Sequence, residues 1–179
     1  MPAKNALKNA FPVILLTIVV AISVTLLTFT DRLTRDQIQA QEEQKIQSML
    51  SEMFPDMSRY DFENEIYTIY SNGDKLGYAF IAIGKGYGGD INILVGLEDE
   101  TTIKGITIIS HTETPGLGTR ITESSFTDKF MGLSIEDVAL SREGGQIDAI
   151  TSSTISSTAV IDAVRTTAME KVKLLKDSE

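Results

Sequence analysis

The sequence predicts an α+β fold, an antiparallel sheet covered by helices and tethered by one N-terminal transmembrane helix. Three observations carry this. Residues 9–30 form a 22-residue window without a single charge. Four β-rich runs then follow one another, separated by turn-forming residues. The last part of the chain carries apolar residues at helical spacing.

The window comes first. From Phe11 to Thr30 it reads FPVILLTIVVAISVTLLTFT. A helix of about 20 residues spans about 30 Å, the thickness of a bilayer's hydrocarbon core. Pro12 is placed in its first turn, where a missing N–H costs little. Thr17, Ser23 and Thr25 are expected to bond back to the helix backbone. A cleaved signal peptide is the alternative. However, the run exceeds the roughly 7–15 apolar residues of a signal, and no small-residue cleavage site follows. Residues 11–30 are therefore read as a retained anchor. Lys4 and Lys8 precede it and Arg32 and Arg35 follow, so basic residues alone do not orient it. The simplest topology is single-pass in the cell (inner) membrane. Residues 1–10 are then cytoplasmic and the large acidic part lies on the outer, periplasmic side.

Residues 31–55 are predicted as a stalk helix. Ile46, Met49, Leu50, Met53 and Phe54 form one apolar face, residues 37–47 are very polar, and Pro55 stops the helix. Residues 56–179 are predicted as the exported domain, and residues 31–179 are expected to fold without the span. Its strands are Ile66–Tyr70, Leu76–Gly84, Ile91–Leu97 and Ile103–Ser110. Asn72-Gly73 between the first two is a strong hairpin signal. A short helix at Ser125–Met131 and a short strand at Ile147–Thr151 follow. A final helix over Thr154–Leu175 faces inward through Ile161, Val164, Ala168 and Leu175. Asp162, Arg165, Glu170 and Lys171 are expected in solvent.

Composition excludes several functions. The chain has 16 basic and 25 acidic residues, a net charge of −9. Beyond residue 30 the net is −11, because Lys4 and Lys8 are the only charged side chains before it. Such a surface repels phosphate backbones, so no nucleic-acid partner is expected. With no cysteine and one histidine, His111, thiolate metal sites, disulfides and multi-histidine metal centres are excluded. No acid–base pair stands at catalytic spacing, so no catalytic residue, metal ligand or independent catalysis is expected. A redox centre here has to be an organic cofactor.

Three segments carry chemical interest. Gly84-Lys85-Gly86-Tyr87-Gly88-Gly89 matches G-x-G-x-x-G by letter, but a strand follows it where a dinucleotide fold needs a helix. It reads as a wide turn, or as a loop whose backbone and Tyr87 face a ligand. In Glu113-Thr114-Pro115-Gly116-Leu117-Gly118, proline rigidity and two glycines suit either a ligand loop or a plain turn. In Asp148-Ala149-Ile150-Thr151-Ser152-Ser153-Thr154-Ile155-Ser156-Ser157, a small-residue turn opens a helix with many hydroxyls. Helix capping needs one of them. A helix N-terminus is also a seat for phosphate, so an anion site is the other reading.

The order GYGG, a strand pair, HTETPGLG, then DAITSSTISS opening a helix resembles the FMN-binding domain of membrane electron-transfer complexes. The sequence is similar to the G subunit of Rnf-type ion-translocating ferredoxin–NAD oxidoreductases, over nearly the whole chain. It is more distantly similar to the C subunit of sodium-translocating NADH–quinone reductases. The resemblance implies an electron-transfer protein whose FMN a flavin transferase has moved from FAD onto a threonine hydroxyl, as a phosphoester. It implies that Asp148 begins the modified element, that Thr151-Ser152-Ser153-Thr154 is the element and that Thr154 carries the flavin. Ser152 and Ser153 stand where the family has Gly and Ala, and the first exchange matters if that backbone needs a positive φ. Ser157 is included in the same cofactor-binding turn. Glu113, Thr114, Pro115, Gly116, Leu117 and Gly118 are implied to lie beside the flavin ring, where the Glu113 charge would lower its potential. Implied partners are the other membrane proteins of the complex, the flavin transferase and membrane lipid. The alternatives are the equivalent quinone-reductase component, or a non-redox anchored module that holds an anion at the same turn.

Overall fold

In the computed structural model, which describes residues 3–177, the uncharged window lies within one long helix, α1 (Ala3–Met53). Met1 and Pro2, which begin the expected 1–10 segment, lie outside the described residues, as do Ser178 and Glu179. The chain divides into two units, Met1–Lys45 and Ile46–Glu179. In the first, Phe11, Leu15, Leu27 and Phe29 are all more than half exposed. This helix is long and apolar enough to cross a membrane. Such a surface suits hydrocarbon, because the helix satisfies its own backbone groups there. Thr17, Thr25 and Thr28 donate to the carbonyls of Val13, Ala21 and Val24 at 2.8–2.9 Å, which hides their hydroxyls as well. Pro12 is not in the first turn as expected. The helix starts at Ala3, so Pro12 is internal and leaves the carbonyl of residue 8 without a helical N–H.

The second unit is built on five strands: β1 (Arg59–Glu63), β2 (Ile66–Ser71), β3 (Asp74–Lys85), β4 (Asp90–Leu97) and β5 (Ile103–Ser110). They pair antiparallel in sequence order, a plain meander. Asn72-Gly73 makes the β2–β3 turn with both φ values positive, as its chemistry predicts. The strand β1 is additional to the four expected. It is a five-residue edge strand, mostly exposed, and reaches β2 through Asn64-Glu65, at φ 52° and 63°. Without a glycine in that turn, the usual hairpin signal is missing.

Period-2 alternation sends the two sheet faces to different partners. Phe80, Ala82, Ile91, Ile93 and Val95 face the main core. They meet Phe126 of α2 (Ser124–Thr127), Phe130 of the 3₁₀ turn after it, and Val160, Ile161, Val164 and Ala168 of α3 (Thr154–Asp177). Phe126 and Phe130 stack edge-on at 5.5 Å. On the opposite face Ile69, Ala79 and Leu94 are covered by Leu50 and Phe54, from the C-terminal end of α1 and the residue after it.

Two further expectations change. Ile147–Thr151 is not a strand. Ile147 is fully buried, but it makes only an isolated bridge to Leu140, because the sheet ends at β5 and this segment belongs to the loop layer over the core. Lys171 is not in solvent. It is 6% exposed, and its Nζ donates to Glu65 Oε2 at 2.7 Å and to the Asn64 carbonyl at 3.4 Å, tying the β1–β2 turn to α3.

The Lys171 ammonium holds the Glu65 carboxyl below its ordinary range, through the hydrogen bond first and the charge second. A depressed carboxyl contributes stability above its unfolded pKa, about 4.3. That contribution is lost as pH falls through the folded value. Glu65→Gln is therefore expected to lower the urea midpoint at pH 7, and the gap to wild type should close below about pH 4. The effect is small because Glu65 faces water. Urea titrations at several pH values measure it.

Candidate functional site

Three segments meet at one end of the second unit. The first is the β3–β4 turn, closed by the Gly86 N–H donating to the Gly89 carbonyl at 2.9 Å. Tyr87 stands at its tip, 74% exposed. The second is the loop after β5. The third is the turn leading into α3.

The post-β5 loop is locked to the first turn. Thr112 Oγ1 donates to the Gly88 carbonyl at 2.9 Å, and the Gly88 N–H donates to Glu113 Oε1 at 2.9 Å. The Glu113 N–H donates to His111 Nδ1 at 3.2 Å, so the lone histidine serves the backbone of this loop. Glu113 itself is 5% exposed. Its Oε2 accepts from the Ser156 hydroxyl at 2.6 Å, 43 residues further on.

In the third segment Ser152 has φ 68°, the left-handed region that costs a side-chain-bearing residue about 1–2 kcal/mol. Ser153 occupies the N-cap of α3, since its carbonyl accepts from the Ser157 N–H at 3.0 Å. Ser157 Oγ accepts from the Ile150 N–H at 3.1 Å and donates back to the Ser153 carbonyl at 3.0 Å, so it is spent on the turn. An N-cap serine ordinarily uses its Oγ to accept from the first turn. Here Ser153 Oγ is buried and, among the described residues, has no hydrogen-bond partner. Just beyond it, the first N–H groups of the helix have no intrahelical acceptor, and the macrodipole leaves this end positive.

These segments enclose a cavity of about 560 Å³. That is within the roughly 300–1,000 Å³ usual for small-molecule sites. It is lined by Tyr87, by Glu113, Thr114, Leu117 and Gly118, and by Ser152, Ser153, Thr154, Ile155 and Ser156. Seven of the residues marked for the cofactor at the sequence level thus line one cavity: Glu113, Thr114, Leu117, Gly118, Ser152, Ser153 and Thr154. The other five, Pro115, Gly116, Asp148, Thr151 and Ser157, do not line it. Ile155 and Ser156 line it although sequence reasoning does not assign them to the cofactor. An isoleucine and a serine in a helix start carry no signal of their own. Tyr87 lines the cavity as well, in keeping with the reading of its turn as a loop that faces a ligand. Chemically, the cavity offers an anion seat at the α3 end and apolar surface at Leu117 and Tyr87, both substantially exposed.

Glycine at residue 152 would relieve the positive φ, partly offset by the entropy it adds to the unfolded chain. Ser152→Gly is expected to stabilise the second unit by about 0.5–1 kcal/mol, read as a raised urea midpoint.

Residues 86–168 match the FMN-binding domain family. The G subunit of the ion-translocating oxidoreductase complex of Aliivibrio fischeri is 34% identical over 78% of this chain and 79% of its own length. The protein of the same description from Methanosarcina acetivorans is 32% identical over 85% of this chain and 88% of its own. Among solved structures, the C subunit of the Na(+)-translocating NADH-quinone reductase of Parabacteroides distasonis has a TM-score of 0.50 and 23% identity, covering 60% of this chain and 61% of that one. That likeness concerns the fold.

Proposed function

The chain belongs to the G-subunit family of ion-translocating oxidoreductase complexes, and from that premise we propose that it is an FMN-bearing electron-transfer component of a Rnf-type complex, with the flavin esterified to Thr154. The observation that carries the reading is the unpartnered, buried Ser153 hydroxyl, which lines the same cavity as Thr154 at the α3 N-terminus. A phosphoryl oxygen supplies the acceptor that this hydroxyl lacks. The free N–H groups of the first helical turn and the positive end of the macrodipole suit the single negative charge of a phosphodiester. The residues present therefore fit FMN.

When bound, FMN passes one or two electrons, which lets it relay between partners of different electron number. The protein's own residues have simpler tasks. Thr154 Oγ1 is the attachment atom. The flavin transferase would join this oxygen to the flavin-side phosphorus of FAD, taking up the hydroxyl proton as the pyrophosphate bond breaks and AMP leaves. Ser153 and the N–H groups that follow hold the phosphoryl oxygens. Leu117 and Tyr87 provide apolar surface for a ring. Relaying electrons through the flavin asks no side chain of this chain to act as acid or base.

The partners under this reading are the other membrane proteins of the complex, the flavin transferase during maturation, and lipid around residues 11–30. The N-terminus is cytoplasmic and the second unit lies on the outer side. The test is the intact mass of the full chain made together with a flavin transferase. A gain equal to esterified FMN, with yellow colour that survives denaturation, is the expected result. A colourless, unmodified chain would overturn the reading in favour of a non-redox anion-binding module.

A further inference from the structure

We infer that Glu113 is a positioning residue: its buried carboxylate clips the α3 start to the β3–β4 turn and so sets where the Thr154 hydroxyl stands in the cavity. One oxygen accepts from the Gly88 N–H at 2.9 Å and the other from the Ser156 hydroxyl at 2.6 Å. These donors belong to segments 25 residues upstream and 43 residues downstream of Glu113. Ser156 lies two residues beyond Thr154 in the first turn of α3, so moving one moves the other.

Space has been left for this carboxylate. A Cβ on Gly86 would collide with Glu113 Oε1. A Cβ on Gly118 would lie 2.5 Å from Oε2 and 2.6 Å from the Glu113 Cβ. Both glycines therefore leave room for the Glu113 side chain. Burying a carboxylate is costly unless its acceptor sites are filled, and here both oxygens are engaged by donors from distant segments. The side chain's reach matters as much as its polarity. Aspartate is one methylene shorter and cannot span both donors, whereas glutamine keeps the length and one acceptor.

The inference rests on Thr154 as the attachment site, and the experiment has two arms that separate the readings. The first uses the full chain in detergent, made without a flavin transferase, and follows amide exchange. Glu113→Ala is expected to speed exchange at Gly88 about tenfold or more, as loss of a charge-assisted hydrogen bond implies. Ser156→Ala, which does not touch Gly88, is expected to speed it too, because the clip is one unit. The second arm makes the same variants with the transferase and measures covalent flavin by mass. Loading should fall in Glu113→Ala, Glu113→Asp and Ser156→Ala, and recover in Glu113→Gln. Gly88 exchange that ignores Ser156→Ala would overturn the clip, as would full loading in Glu113→Ala. If wild type carries no flavin on Thr154, the attachment reading fails, while the exchange arm still judges the contact.

Discussion

Thr154→Ala is expected to abolish covalent flavin completely while leaving the fold unchanged. Thr154 is the first residue of α3, exposed on the cavity wall and outside both apolar clusters. Ser153, not Thr154, holds the N-cap, so the substitution removes no cap. An exposed change of this kind shifts stability by about 0.5 kcal/mol or less. Its hydroxyl, by contrast, is the proposed ester oxygen, and neither alanine nor valine has a replacement. Thr154→Ser keeps a hydroxyl at the same place and is expected to retain some flavin. Ser153→Ala separates attachment from phosphate binding: it should still accept flavin on Thr154, at reduced yield. Intact mass and in-gel flavin fluorescence after denaturation read all three. A fluorescent band that persists in Thr154→Ala would move the attachment to another hydroxyl in the same turn.

The second large effect concerns where the folded unit begins. A fragment of residues 46–179 is expected to fold and unfold cooperatively, and one of residues 56–179 is expected to aggregate or stay largely unfolded. The reason lies on the second face of the sheet. Leu50 and Phe54 are 0% and 2% exposed and cover Ile69, Ala79 and Leu94, with Met49 and Met53 packed beside them. Burying one such side chain stabilises a fold by roughly 1.5–3 kcal/mol. Losing two forfeits roughly 3–6 kcal/mol by that scale, of a net stability of roughly 5–15. Cutting at residue 56 also bares an apolar sheet face, which favours association. Leu50→Ala in the longer fragment gives an intermediate measure, at about 2–5 kcal/mol. Equal urea midpoints for the two fragments would show that the end of α1 is not part of the fold.

Features whose physics is local can be read from the chain before it folds. An uncharged run from residue 9 to residue 30 reads as a span because charge and length are properties of that stretch alone. Asn72-Gly73 declares its hairpin because few residues tolerate two positive φ values in succession. The faces of β3, β4 and α3 follow from periods of 2 and 3.6. The hydroxyl-rich start of α3 is visible in the same way, as a helix cap or an anion seat, and it is the family resemblance that singles out Thr154 within it. Whatever depends on partners far along the chain emerges only on folding. β1 is an edge strand with a Glu in its turn, and only Lys171, more than 100 residues away, shows why that turn holds. Ile147 is apolar and extended in pattern, yet the sheet has no place for it beyond β5. Ser153 and Ser157 look equivalent in sequence, but the Ser157 hydroxyl is consumed within the turn and that of Ser153 is left without a partner. In the sequence Glu113 reads as a loop residue beside a flavin ring, with no sign of what its two oxygens bind. Only folding brings Gly88 and Ser156 to its two oxygens, because a buried carboxylate takes its role from the donors that reach it.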